Sequence, residues 1–157
     1  MAVETERKFL VFSKAPVKGL TGQKLTQGYL HEKGMTTRVR VIDDTQALIT
    51  LKGSRNGLGR PEYEYPIPLE DARELLSMCE GRILTKTRYE VLVGSHVWHF
   101  DVYGGRLKGL LTAEVELQDE NEAFEVPRWA GPEVTYDKSY TNKRLAICQR
   151  VPLRLAA

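Results

Sequence analysis

Alternation of hydrophobic and polar residues predicts that most of this chain is antiparallel β-sheet. The period of two, which places every second side chain on one face of a strand, runs through ETERKFLVF, QKLTQGYLHE (23–32), TTRVRVID, QALITLKG and TAEVELQ. Hairpin turns are predicted at Asp43–Asp44, at Gly94–Ser95 and in RNGLGRP, the segment before PEYEYPIPL. We therefore expect about eight strands, most of them joined as hairpins.

Helical spacing is confined to shorter segments. Residues 69–79 carry apolar side chains at 69, 72, 75, 76 and 79, and Gly81 follows as a stop signal. NEAFE predicts one helical turn, and SYTNKRLAICQR predicts a second helix that begins at Ser139 or Thr141. The expected fold is α+β, one domain over residues 1–157, in which antiparallel hairpins favour a barrel or a strongly curved sheet.

Each predicted strand has an apolar face and a face that carries charges, often as doublets of one sign. The charged faces carry Glu4, Glu6, Lys8, Arg38, Arg40, Lys52, Glu62, Glu64, Lys86, Arg88, Asp101, Glu114 and Glu116. Like charges two residues apart repel one another unless something opposes them. A solvated outer face is one interpretation; if helices cover the apolar faces, the charges instead line a barrel lumen that holds water, ions and a ligand.

Composition narrows the class of protein. Net charge is only +2, from 23 basic and 21 acidic residues, which argues against binding to double-stranded nucleic acid. No apolar run approaches the roughly 20 residues that span a membrane, and the polar N-terminus is unlike a secretory signal. Two cysteines are too few for a disulfide framework, so we expect a reduced, cytoplasmic chain. His96 and His99 are interpreted as structural residues.

The two sets of charges suit one kind of ligand. Lysine and arginine side chains bind phosphate oxygens, whereas carboxylates suit Mg²⁺ or Mn²⁺. A polyphosphate with its metal ions satisfies both sets at once. The glycine-rich turns GLTGQK and GSRNGLG lack the lysine followed by Ser or Thr and the subsequent helix of a P-loop, so they are predicted to be plain turns.

ETERK matches the ExExK signature of the CYTH domains, also called triphosphate tunnel metalloenzymes. The resemblance extends through RVR (38–40), LK (51–52), EYEY (62–65), KTRY (86–89), FDVY (100–103), EVE (114–116) and VTYDKSYTNKRLA (134–146), in the family's order. It implies an antiparallel eight-stranded β-barrel, a tunnel open to solvent with helices packed outside.

The resemblance also implies roles for individual residues. Metal ligands would be Glu4, Glu6, Glu114 and Glu116, assisted by Asp101. Triphosphate would be held by Lys8, Arg38, Arg40, Lys52, Lys86, Arg88 and Lys138, whereas Lys143 resembles an ordinary surface lysine. Glu62 and Glu64 would position water and balance neighbouring arginines. The predicted catalytic residues are Glu4, Glu6, Glu62, Glu64 and Lys86.

Small bacterial members of the family are the most similar in organisation, which implies hydrolysis of inorganic triphosphate to pyrophosphate and phosphate with two Mg²⁺ or Mn²⁺ ions. Alternatives within the fold are an adenylyl cyclase of the class IV type and a thiamine or nucleoside triphosphatase. A non-catalytic polyphosphate-binding module and a structural β domain with internal salt bridges also remain open. The expected chain is a monomer or a homodimer with no membrane partner.

Overall fold

The structure is a computed structural model that describes residues 3–30, 34–57 and 59–152. Within these ranges the strands are β1 (Val3–Val11), β2 (Gln23–Leu30), β3 (Thr36–Ile42), β4 (Gln46–Lys52), β5 (Gly59–Pro66), β6 (Ile83–Val93), β7 (His96–Tyr103), β8 (Leu111–Glu116) and β9 (Ala130–Glu133). The helices are α1 (Leu69–Ser77) and α2 (Asn142–Leu145). Residues 31–32, the predicted end of the second strand, lie outside the described ranges.

Antiparallel pairing closes the described strands β1 to β8 into a barrel. The sheet order is β5-β4-β3-β2-β6-β7-β8-β1-β9, and an additional pairing of β5 with β1 joins the ends. At this junction Glu4 lies opposite Arg60, and further along β1 Glu6 lies opposite Glu116. The strand β9 pairs with β1 beyond the junction. The prediction of an eight-stranded antiparallel barrel is confirmed.

Tight turns close two of the predicted hairpins. Asp43 and Asp44 lie in the turn between β3 and β4 with φ values of 50° and 56°, both in the left-handed region, and the Thr45 amide donates to the Ile42 carbonyl oxygen at 3.0 Å. Aspartate tolerates this region better than most residues. Asp43 Oδ1 also accepts a hydrogen bond from the Lys24 amide of the neighbouring strand β2, which fixes the turn against that strand. Gly94 has φ 59° between β6 and β7.

The helix α1 covers one part of the outer barrel wall. Its buried Ala72 packs with Val39 and Val41 of β3 and with Ala47 of β4. Helical spacing at residues 69–79 therefore predicted the element correctly, and it also predicted the face that the helix buries. Arg38 and Arg40 lie on the opposite face of β3, which lines the lumen.

An irregular segment covers the opposite part of the wall. Phe124 packs on Trp98 with ring centroids 6.0 Å apart, and Trp129 packs on Phe100 at 5.7 Å. The predicted helical turn at NEAFE is wrong, because residues 122–127 have no regular secondary structure. Tertiary packing of Phe124 outweighs the weak helical preference of five residues.

The C-terminal segment is less helical than its sequence predicts. A 3-10 turn at Lys138–Tyr140 precedes α2, and the Thr141 side chain accepts a hydrogen bond from the Arg144 amide, which confirms the predicted N-cap. Arg106 donates to the carbonyl oxygens of Ala146 and Cys148, where a longer helix would place its own amides. A tertiary contact thus competes with continuation of the helix.

The helix α2 lies outside the barrel wall, against one end of the lumen. Its buried Leu145 joins a cluster with Leu10 and Tyr103, and Leu10 shares its strand face with Lys8. The apolar cluster therefore fills this end, and the charged residues are left around the rest of the lumen. None of the described helices has the length and apolar character needed to cross a membrane.

Candidate functional site

The barrel lumen contains a cavity of about 550 Å³ whose walls are densely charged. The structure brings most of the predicted site residues into it. Those that line the cavity are Glu4, Glu6, Lys8, Arg38, Arg40, Lys52, Glu62, Glu64, Arg88, Glu114 and Glu116. Strand register explains the convergence, because Lys8 lies opposite Glu114 and Lys52 lies opposite Glu62 on neighbouring strands. The charged faces therefore point inward.

Beneath the cavity surface lies an internal triad, formed by Lys86, Arg88 and Asp101. Lys86 Nζ lies 2.5 Å from Asp101 Oδ2, while Arg88 donates through Nε and Nη2 to both carboxylate oxygens, each at 2.8 Å. The side chains of Lys86 and Asp101 have no exposed surface. Neither of these two residues lines the cavity. Asp101 was predicted to assist the metal ligands, but both of its carboxylate oxygens are engaged by Lys86 and Arg88.

Electrostatics stabilise the charged form of this aspartate. Burial would raise the pKa of Asp101, but Arg88 and Lys86 outweigh it and lower that pKa to about 2. Burial lowers the pKa of Lys86 to about 7, with a further contribution from Arg88. The charged form of Glu114 is stabilised in the same way. Lys8 at 2.9 Å and Arg88 at 3.2 Å lower the pKa of Glu114 well below its usual value despite its burial.

The basic wall retains donors that no described residue uses. Arg38 lies 3.1 Å from Glu64 through Nη2, yet its Nε is buried with no hydrogen-bond partner in the described part of the chain. Arg40 donates through Nε to Gln27 at 3.2 Å and forms no salt bridge with any described residue. Burial lowers the pKa of Arg40 to about 10, and Arg38 and Arg88 lower it further. An anion in the cavity would satisfy both guanidinium groups.

At the other side, Glu4, Glu6 and Glu116 form an acidic wall. Glu6 and Glu116 lie directly opposite on β1 and β8, and Glu4 shares their face. Burial raises the pKa of Glu6 to about 7, and the nearby Glu114 and Glu4 add to the effect. Glu4 behaves differently: Lys52 at 2.6 Å and Arg60 at 2.7 Å overcome burial and lower its pKa to about 2. The negative charge of Glu6 is therefore less well balanced by cations than that of Glu4.

Two arginines of this wall were missed from the sequence. Arg55 lies 3.6 Å and Arg60 lies 3.7 Å from Glu6 Oε1. Both come from the segment that was interpreted as a turn. The alternation of β5 contains a signal for Arg60, since positions 60, 62 and 64 share one face. Arg55 precedes β5, and no periodicity marks it.

The C-terminal lysines lie in different surroundings. Lys138 is exposed and does not line the cavity, because the 3-10 turn buries Tyr140 and leaves Lys138 outside. Lys143 does line the cavity, and its Nζ donates to Thr36 Oγ1 at 3.4 Å. Among the histidines, His99 lines the cavity beside Arg88, whereas His96 contacts Glu122 at 2.8 Å.

The donor set fits a hard divalent cation. In the described ranges, no group of three or more His, Cys, Asp or Glu side chains converges as a preformed metal centre. Lysine and arginine side chains instead contact the carboxylates of the acidic wall. Carboxylate oxygens are the ligands that Mg²⁺ and Mn²⁺ prefer, and the raised pKa of Glu6 indicates that added positive charge would be stabilised there.

Comparisons with known proteins agree on one family. The model of the CYTH domain family matches residues 2–143. An inorganic triphosphatase of Acetivibrio thermocellus is 40% identical over 147 residues, 92% of this chain and 94% of that protein. An inorganic triphosphatase of Nitrosomonas europaea is 40% identical over 148 residues, 92% of this chain and 97% of that protein.

A solved structure extends the likeness to three dimensions. The crystal structure of an inorganic triphosphatase has 37% sequence identity and superposes with a TM-score of 0.69. The match covers 96% of this chain and 98% of the other. This chain therefore has the fold of a solved inorganic triphosphatase over almost its whole length.

Proposed function

The chain belongs to the CYTH domain family, and from this premise we propose that it hydrolyses inorganic triphosphate to pyrophosphate and phosphate with divalent metal ions. One observation carries the proposal: a single cavity joins unused guanidinium donors to an acidic wall whose negative charge is incompletely balanced at Glu6. A metal-bound polyphosphate supplies both the missing anion and the missing cation. The named activity of the relatives supports the same conclusion.

We propose that the basic wall binds the phosphates. Arg38 and Arg40 have donors available, and Lys8, Lys52 and Arg88 lie in the same cavity. Guanidinium groups bind phosphate oxygens in a bidentate manner and stabilise charge that spreads over the phosphoryl group in the transition state. Lys143 replaces Lys138 as the C-terminal lysine in contact with the cavity, and we include it in this binding set.

We propose that the acidic wall holds the metal. CYTH triphosphatases depend on metal ions, and here Glu4, Glu6, Glu114 and Glu116 have the appropriate oxygen donors. Two ions of Mg²⁺ or Mn²⁺ suit the number of carboxylates. A bound divalent ion neutralises phosphate charge and lowers the pKa of a coordinated water molecule.

The remaining carboxylates act through their neighbours. Asp101 holds Lys86 and Arg88 in place beneath the cavity, which makes Asp101 and Lys86 positioning residues. Glu62 lies 3.1 Å from Lys52, and Glu64 accepts hydrogen bonds from Arg38 and from Thr50. We propose that Glu62 and Glu64 fix the orientation of these cations and position the attacking water.

We propose that residues 1–157 form a single CYTH domain. The protein would work in the cytoplasm as a monomer or a homodimer. Closure of one barrel by strands from both halves of the chain supports one folding unit. Both cysteines are free thiols, as a reducing compartment would keep them. Size-exclusion chromatography with light scattering distinguishes the monomer from the dimer.

Phosphate release from tripolyphosphate, ATP and thiamine triphosphate, measured in parallel with Mg²⁺, Mn²⁺ or EDTA, tests the activity. We expect turnover of tripolyphosphate to exceed the others clearly and to stop in EDTA. Equal or faster release from ATP or thiamine triphosphate would overturn the proposed substrate. Absence of release from all three would overturn hydrolysis, and a cyclic AMP assay with ATP would then test the cyclase alternative.

A further inference from the structure

Arg60 occupies the acidic wall where positive charge is needed. Its Nε donates to Glu4 Oε2 at 2.7 Å, and its Nη2 lies 3.7 Å from Glu6 Oε1. One guanidinium group thus contacts two of the carboxylates assigned to metal binding. Arg55 approaches Glu6 from the same stretch of chain at 3.6 Å.

The side chain of Arg60 is only partly buried. Arg60 lies next to the turn that precedes β5, and 21% of its side chain is exposed to the cavity or to solvent. By contrast, the side chain of Lys86 in the internal triad has no exposed surface. A partly exposed guanidinium group can exchange its carboxylates for water, whereas the buried ammonium group of Lys86 cannot.

We propose that Arg60 is a tethered counterion of Glu4 and Glu6 that a divalent cation displaces when it binds these carboxylates. In this arrangement Arg60 sets the metal concentration at which the site fills. The inference rests on the proposed function, because it takes Glu4 and Glu6 as metal ligands. It adds a residue that opposes metal binding, whereas every role proposed above favours ligand binding.

Electrostatics gives the expected sign. A metal ion and a guanidinium group compete for the same carboxylate oxygens and repel each other within the cavity. Removal of the arginine charge therefore stabilises the metal-bound state relative to the metal-free state. A salt bridge with a purely structural role predicts a loss of fold stability, with metal affinity unchanged or weakened.

Direct Mn²⁺ binding tests the proposal without reference to turnover. Free Mn²⁺ is counted by electron paramagnetic resonance in titrations of the wild-type chain, Arg60→Gln, Arg60→Lys and Arg7→Gln, with no phosphate present. We expect Arg60→Gln to bind Mn²⁺ about tenfold more tightly than the wild type. Arg60→Lys keeps the charge and should remain within about threefold of the wild type.

Arg7→Gln is the matched control. Arg7 is an arginine of β1 next to Glu6, but it lies on the outer face and pairs with Glu133. Its removal should leave Mn²⁺ affinity unchanged. A general effect of net charge would tighten Mn²⁺ binding in Arg7→Gln as well, and this result would overturn the specific role of Arg60.

Other outcomes are equally decisive. Unchanged or weaker Mn²⁺ binding by Arg60→Gln overturns the proposal. If urea unfolding shows that Arg60→Gln does not fold, Arg55→Gln takes its place, with an expected tightening of about threefold because its contact to Glu6 is longer. An unchanged affinity in that variant would also contradict the inference.

Failure of the inference is distinguishable from failure of the proposed function. Metal-dependent hydrolysis together with an unchanged Mn²⁺ affinity in Arg60→Gln would remove only the counterion role. Tighter Mn²⁺ binding by Arg60→Gln, in a chain that hydrolyses no triphosphate, would support the counterion role of Arg60 and overturn the proposed activity.

Discussion

The internal triad and the acidic wall are both built from charges that alternate along strands, but their charges are balanced differently. In the triad, Asp101 receives two cations at 2.5 and 2.8 Å, and its side chain is fully buried. In the acidic wall, Glu6 faces Glu116, and its ion pairs with Arg55 and Arg60 are longer, at 3.6 and 3.7 Å. The first region is electrostatically complete within the protein, and the second is incomplete.

This difference separates structural from functional charge in one lumen. Buried ion pairs hold the basic residues at fixed positions, and the loss of one partner leaves the other uncompensated. Carboxylates with excess negative charge weaken the metal-free fold and favour the arrival of a cation. A bound cation therefore supplies to the acidic wall the positive charge that Lys86 and Arg88 supply to Asp101 in the triad.

Asp101→Asn should have the largest effect on folding. The substitution leaves the buried Lys86 and Arg88 without their anion, and we expect the free energy of unfolding to fall by about 3–5 kcal/mol in urea titrations. Glu133→Gln removes an exposed partner of Arg7 and should cost about 0–1 kcal/mol. Similar losses in the two variants would contradict the distinction between the triad and a surface ion pair.

Glu6→Gln should act in the opposite manner, on activity and not on folding. Loss of a proposed metal ligand should lower tripolyphosphate hydrolysis about 100-fold or more at saturating Mg²⁺. The free energy of unfolding in EDTA should stay the same or rise, because repulsion from Glu4 and Glu114 is removed. Glu74→Gln, on the exposed face of α1, is the control for both measurements. Full activity in Glu6→Gln would eliminate the metal assignment.

The smallest expected effect is a pH dependence of the metal-free fold. The pKa of Glu6 is raised from 4.5 to about 7 in the folded chain, so between these values the folded state binds a proton that the unfolded state does not. The contribution of Glu6 to the free energy of unfolding in EDTA therefore increases as the pH falls from 7 to about 5. Glu6→Gln should lack this contribution.

Asp101 has the opposite sign at lower pH. Its pKa is lowered from 3.8 to about 2, so its stabilising contribution is complete above about pH 4 and is lost as the pH falls towards 2.

Urea unfolding of wild type and Glu6→Gln between pH 7 and pH 5 isolates the contribution of Glu6 as a difference between the two chains. A parallel response of both chains would contradict the unbalanced charge at Glu6.

Strand alternation predicted most of the candidate site because a barrel converts the parity of each strand into an inner and an outer face. Lys8, Arg38 and Glu114 were placed on the lumen side by this rule alone. The same rule applies to Arg60 but was not extended into the segment interpreted as a turn. Short helical patterns predicted less, since Phe124 and Arg106 draw their segments into tertiary contacts.

The sequence by itself determined the strands β1 to β8, their hairpins and the face on which each charge lies, because these features depend on local geometry and on a period of two, whereas the short β9 was not predicted. Only the tertiary structure decided which charges are balanced. Closure of β5 on β1 brings Arg60 to Glu4 across more than fifty residues, and the pairing of β6 with β7 buries Asp101 between Lys86 and Arg88. Burial and pair distances set the pKa of each group, and they arise only when strands distant in the chain become neighbours.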